Sequence, residues 1–294
     1  MFSIYFFDVW FLLGIVFILI KILINFKISI KYSVLGGMLL LFFYLGDNFR
    51  WTIGRGLSEW IAAYLLLLSM FLIITLNKYK HFFILFLFII LISILHSWVR
   101  EEHIFSILGS ILLYNYNKTS NFLFKDFYNN LKINFKIIFL YCLLVSSGFL
   151  LIFIRNYYLG GSFGLDHPSS NYYASLNISW YENTARKFWV LLTGTANWSY
   201  KIPRVYSILL LCGFLISIFS FFNTNIFKQI NNLGLIIVIF CMYFPFIVFD
   251  NIGYPPRYSI HILPISIAII LIYYYPIIIK VENLIKNKKF IFIK

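Results

Sequence analysis

Long apolar runs alternate along this chain with short polar breaks. The first run, Phe2 to Ile24, is long enough for an α-helix to cross about 30 Å of hydrocarbon. Tyr32 to Leu45 is shorter, and Ile28 and Ile30 extend it. Trp60 to Leu76 and His81 to Val99 follow. Ile104 to Tyr116 is short for a span and reads as a tilted helix or part of a hairpin that dips partway. Within the polar stretch Asn117 to Lys136, Phe122 to Leu131 has the pattern of an amphipathic helix lying on a bilayer. Further runs cover Ile137 to Ile154, Tyr206 to Phe222, Leu233 to Phe249 and Tyr258 to Ile279.

The pattern predicts an all-α, polytopic transmembrane helical bundle of about nine spans, forming a single membrane domain over residues 1–294. Arg155 to Lys201 is the longest polar break. It reads as an extracytoplasmic loop with short surface helices, for example over Trp180 to Leu192. Asp250 to Arg257 reads as a short turn, because Pro255 and Pro256 oppose a continuous helix there. The sequence contains no internal repeat and no soluble domain.

Composition supports the membrane reading. Hydrophobic residues make up 62% of the chain and charged residues 12%, with mean hydropathy +0.87. Soluble domains carry about a quarter charged residues. Cys142, Cys212 and Cys241 all fall inside apolar runs, so they read as small buried hydrophobes, not as disulfide partners or metal ligands. Phe2 to Ile24 has neither a basic leader nor a small-residue cleavage site, which argues against a signal peptide.

The net charge of +14 raises the question of nucleic acid. Its distribution argues instead for the positive-inside rule. With the N-terminus outside and the C-terminus cytoplasmic, all seven arginines fall on the outer side, together with eight of the ten acids. Fifteen of the seventeen lysines fall inside, the exceptions being Lys187 and Lys201. Lysine satisfies topology as a point charge. Arginine offers a planar fork suited to phosphate or carboxylate. The outer face therefore carries the residues expected to do chemistry.

Two polar patches stand out on that face. Gly46 to Glu59 reads GDNFRWTIGRGLSE and holds Asp47, Arg50, Arg55 and Glu59. His96 to His103 reads HSWVREEH and holds Arg100 and Glu101. Both are expected to line one site.

Three segments resemble the GT-C superfamily of membrane glycosyltransferases, whose members use polyprenyl-phosphate sugars. Arg55-Gly-Leu-Ser-Glu59, leading into Trp60 to Leu76, is similar to the Ser/Thr-Glu motif that opens a mid-chain helix in mannosyltransferase-like and arabinosyltransferase-like members. Arg100-Glu-Glu-His-Ile-Phe105 is similar to the Arg-Pro-Glu-Gly or Arg-Glu-Glu-Gly segment. Pro256-Arg-Tyr-Ser-Ile-His-Ile-Leu-Pro264 is similar to the Arg-Tyr-x-x-Pro signature of a late helix. The three span Gly46 to Pro264. Against that pattern the chain begins at the family's second or third helix, and the first helix with its acidic loop has no counterpart. Asp47 is then the first substitute for the missing acid and Asp8 the next, although Asp8 also fits an interfacial or capping carboxylate.

The resemblance implies an enzyme of the bacterial inner membrane, working on the extracytoplasmic face. It would transfer a sugar from a polyprenyl-phosphate-linked donor to a glycan or lipid acceptor. Such chemistry needs a carboxylate base at the acceptor hydroxyl and cations where charge builds on the departing phosphate. Asp47, Glu59 and Glu101 are the base candidates. Arg50, Arg55, Arg100 and Arg257 are the phosphate candidates, and His103 and His167 are further hydrogen-bond donors. Glu59 also fits a helix-capping role beside Ser58, and Glu101 fits a partner for Arg100. No Cys/His/acid spacing matches a zinc site; the acids leave room for a divalent cation. The partners expected are membrane lipids and lipid-linked sugar, not nucleic acid. Two other readings compete. One is an O-antigen polymerase or ligase, which shares the long outer loop. The other is a lipid-linked saccharide transporter, which would set its ionisable groups near the midplane.

Overall fold

The computed structural model of the chain describes residues 2–45, 58–76, 82–99, 107, 109–111, 113–114, 124–160 and 255–291. Among the described residues the secondary structure is helical and contains no strand. The helices are α1 (Phe2–Asn25), α2 (Ile30–Leu45), α3 (Ser58–Thr75), α4 (Phe82–Val99), α5 (Phe124–Ile133), α6 (Phe135–Gly160) and α7 (Pro255–Ile291). The apolar runs predicted for α1 to α4 match these helices to within a few residues. The amphipathic stretch predicted at Phe122 to Leu131 is α5. Of the runs further along, Tyr206 to Phe222 and Leu233 to Phe249 lie outside the described residues.

Helix α3 is the hub. It packs against α1, α4 and α7, and its residues are buried around most of its circumference. Helices α1, α2, α3 and α7 enclose one core, and α4 then α6 extend the bundle to the side. On α1 the buried positions Asp8, Leu12, Ile15, Leu19 and Ile22 recur every three to four residues, one face of a helix. The opposite faces carry Trp10, Phe17, Phe42, Phe83, Ile84 and Leu150, all exposed. Soluble proteins rarely leave so much contiguous apolar surface in water. Among the described residues three helices are long and apolar enough to cross a membrane, over Phe6–Asn25, Phe82–Val99 and Phe135–Leu159, which is the signature of a membrane protein. The bent pair within α7 makes up to four. Helices α2 and α3 are apolar but shorter.

The α1–α2 reversal is tight. The Ile28 N–H donates to Leu23 O at 3.1 Å and the Lys27 N–H to Ile24 O at 3.0 Å, the bond pair of a Schellman C-cap. Lys27 occupies the left-handed position, with φ 63°, where glycine is usual.

Pairings along α2 and α7 fix their antiparallel register. At one end the Tyr44 hydroxyl donates to Ile260 O at 2.7 Å. At the other, Tyr32 packs edge-on against Tyr275, with centroids 5.6 Å apart, and its hydroxyl donates to Glu282. The Ser29 N–H donates to the Tyr275 hydroxyl at 3.2 Å, and Lys31 pairs with Glu282 at 3.2 Å. Between Leu263–Ile272 and Tyr274–Ile285 helix α7 bends by 43°. Pro276 has no N–H for the carbonyl of Ile272, a sufficient cause of such a kink.

The hydrogen bond and charge of Glu282 hold the exposed Lys31 ammonium above its ordinary pKa of 10.5. A group whose folded pKa is raised stabilises the fold below its unfolded value and loses that contribution as pH rises through the folded one. The melting-temperature difference between the wild type and Glu282→Gln is therefore expected to be constant from pH 7 to about 10 and to shrink above that. The total effect is small, because the pair is exposed.

Three outcomes depart from the sequence reading. Helix α6 continues through Arg155 to Gly160, so the long polar break starts after Gly160. The last helix begins at Pro255, three residues before the predicted Tyr258, with both prolines in its first turn, where the missing N–H has no intrahelical acceptor to serve. Beyond Ile279 the tail stays helical to Ile291.

Helix α6 meets α4 at close range. A β-carbon on Gly148 would lie 2.6 Å from Ile94 Cγ1, with two more Ile94 atoms inside 3 Å. The branched Ile94 side chain has little freedom to step aside. Gly148→Val is expected to cost about 1–3 kcal/mol, read as a lower melting temperature in detergent.

Candidate functional site

The register of the helices decides which polar segments share an end. Phe11 on α1 packs against Tyr64 on α3, with centroids 5.5 Å apart. Gly14 also abuts the Tyr64 ring. Tyr44 at the end of α2 meets Trp60 at the start of α3 edge-on, centroids 4.9 Å apart. Ile73 and Leu76 near the end of α3 share a cavity of about 30 Å³ with Phe86 and Ile89 near the start of α4, so α3 and α4 run antiparallel. Helices α4 and α6 run parallel: Ser93 bonds Tyr141 at 2.8 Å, and the Trp98 indole N–H donates to Gly148 O at 2.8 Å.

These pairings bring the starts of α1, α3 and α7 to the same end as the ends of α2, α4 and α6. The opposite end carries Lys21, Lys27, Lys31, Lys132, Lys136 and Lys280. Residues Leu45, Ser58, Val99, Gly160 and Pro255 therefore flank the polar segments from a single end of the bundle. The side chains of Asp47, Arg50 and Arg55 lie outside the described residues, as do those of Arg100, Glu101, His103 and His167. Arg257 falls in the first turn of α7 at this end, three residues before Ile260.

Two carboxylates sit inside this end of the bundle. Glu59 in the first turn of α3 is 0% exposed. Of the three proposed bases it is the one the structure describes. Asp8 is 4% exposed, on the buried stripe of α1. Asp8 thus faces the interior of the bundle. The Phe11–Tyr64 contact ties the two helices in depth. At 1.5 Å rise per residue, Asp8 lies about 4.5 Å and Glu59 about 7.5 Å toward the polar end from that contact, so they differ in depth by roughly one residue pair.

Trp60, Tyr44 and His96 were not singled out in the sequence. Trp60 is 0% exposed, and its indole Nε1 has no hydrogen-bond partner among the described residues. Tyr44 is fully buried, with its hydroxyl committed to Ile260 O. His96 belongs to α4, not to the polar break after it, and is 1% exposed beside the buried Ser93 and Ser97. For His96, as for Asp8, the signal is periodicity. Asp8 and His96 fall on the same three-to-four spacing as the apolar core residues around them, a pattern that places a polar residue inward.

Among the described residues no three His, Cys, Asp or Glu side chains lie close enough to hold a metal ion. No protein-family model matches the chain, and no curated protein or solved structure matches it.

Proposed function

We propose that this chain is a multi-pass membrane glycosyltransferase that moves a sugar from a polyprenyl-phosphate donor to a glycan or lipid acceptor. It would have about nine spans and lie in a bacterial inner membrane. The N-terminus and the active end would be extracytoplasmic, and the C-terminus cytoplasmic. One observation carries the reading: the helix ends flanking the arginine-rich and acidic segments converge on one end of the bundle, where Asp8 and Glu59 are buried.

In this reading Glu59 accepts the proton of the acceptor hydroxyl as its oxygen attacks the anomeric carbon. The anomeric carbon–oxygen bond to phosphate breaks with inversion, and the phosphate leaves with the electron pair. Arg257 is the cation for that phosphate, at the amino end of α7, where the helix dipole also favours negative charge. Asp47, Arg50, Arg55, Arg100, Glu101, His103 and His167 complete the candidate set. The test is transfer of radiolabelled hexose from undecaprenyl-phosphate hexose to extracted envelope acceptors by the purified chain in proteoliposomes. Label in acceptor, with release of undecaprenyl phosphate, is expected. Intact donor after prolonged incubation contradicts the reading.

A specific observation favours a second reading. Asp8 and His96 are ionisable groups buried within apolar helices, an arrangement that marks substrate or ion pathways in transporters. In the same proteoliposomes a transporter would move the lipid-linked sugar between leaflets without breaking its phosphate bond.

A further inference from the structure

We infer that Trp60 is a sugar-recognition residue, its indole N–H donating to an oxygen of the donor's sugar ring at the polar end of the four-helix core. The inference rests on the transferase reading and adds a residue and a ligand group to it.

The argument starts from an unmet donor. Trp60 is completely buried, and among the described residues its Nε1 finds no acceptor. A buried N–H without an acceptor costs on the order of 1–3 kcal/mol, and native structures contain few. The nearby Tyr44 hydroxyl donates to Ile260 O, and the indole N–H makes no bond to its oxygen. The ring itself is held, edge-on against Tyr44 at 4.9 Å. Trp60 therefore presents a fixed donor in the core enclosed by α1, α2, α3 and α7.

The surroundings select the ligand class. Asp8 lies on the buried stripe of α1 that faces this core, and Glu59 precedes Trp60. Carboxylates accept hydrogen bonds and repel anions, so the phosphate itself is a poor occupant beside them. A hydroxyl both accepts from an indole and donates to a carboxylate. A sugar ring offers several hydroxyls at once, together with an apolar face for an aromatic wall such as Tyr44. Sites built to bond a substrate hydroxyl discriminate strongly, because the buried partner is left unmet when the hydroxyl is absent.

The experiment uses the full chain in nanodiscs and Trp60→Phe, which removes the N–H and keeps a ring against Tyr44. Binding is measured for undecaprenyl-phosphate glucose, mannose and galactose, with bare undecaprenyl phosphate as the reference. Melting temperature confirms that the variant is folded. Tyr44→Phe serves as a second variant that disturbs the α2–α7 contact without removing the indole donor. The expected result is that the wild type prefers at least one sugar lipid over the reference. Trp60→Phe should cut that preference about fivefold with affinity for the bare lipid unchanged, and Tyr44→Phe should retain it. A preference that survives in Trp60→Phe overturns the inference and leaves the transferase reading standing; the N–H would then be met by water or by the Tyr44 ring. No preference for any sugar lipid in the wild type overturns both. A loss of equal size in both variants also overturns the inference, because it would reflect packing alone.

Discussion

Glu59→Gln is expected to lower sugar transfer by about 10²–10⁴-fold, the range over which a positioned general base contributes. The amide keeps the shape of the side chain but cannot take the acceptor's proton. Glu59 is fully buried in the first turn of the helix that packs against three others, so its position is held by the whole bundle. Burying a carboxylate opposes folding, and replacing it by a neutral amide is expected to leave the melting temperature unchanged or raised. That pairing of outcomes separates catalysis from capping. A residue serving only as a helix cap would show the reverse, with lower stability by about 0.5–2 kcal/mol and transfer in proportion to folded protein. Donor affinity is expected to survive, so the loss should fall on kcat and not on KM.

Arg257→Ala is expected to reduce transfer by about 10²–10³-fold, comparable to removing one donor aimed at developing negative charge. The residue occupies the first turn of α7, one turn from the Ile260 carbonyl that receives the Tyr44 hydroxyl. A helix fixed that close to its start holds its first turn in place. Arg257→Lys should recover part of the activity, since the charge returns without the bidentate fork. Donors with better leaving groups should suffer less from Arg257→Ala, because less charge then needs stabilising at the phosphate. Equal losses with every donor would count against a role at the leaving group.

Much of the helical framework was legible because membrane helices declare themselves by length and apolarity. Phe2 to Ile24 and His81 to Val99 needed only those two properties. The charge pattern carried further information. The described lysines of α1, α2, α6 and α7 fall at one end and the buried acids Asp8 and Glu59 at the other, an arrangement that pairing of the helices reproduces independently.

The failures trace to tertiary context. The last helix starts at Pro255 and not at Tyr258, because the first turn of a helix has no use for the N–H that proline lacks. Arg155 reads as the start of a loop, but one polar residue does not end a helix whose next residues, Asn156 to Leu159, still satisfy the backbone internally. For Asp8 and His96 the helical phase, not the nearness of a polar break, sets which way they face. Trp60 gave no signal of its own: an indole beside a helix start is ordinary in sequence, and its unmet donor becomes visible only once the helices pack around it.

Two-sided cysteine labelling in intact cells and inverted vesicles tests the shared polar end most directly. Cys142, Cys212 and Cys241 would first be replaced by serine or alanine, and single cysteines introduced at Asn48, Ser106, Asn156 and Asn251, with Ser29 and Asn129 as references. A membrane-impermeant maleimide should reach the first four from outside the cell and the two references only in inverted vesicles. Labelling of the first four from opposite sides of the membrane would separate the arginines and acids from one another, and a single site built from them would be contradicted.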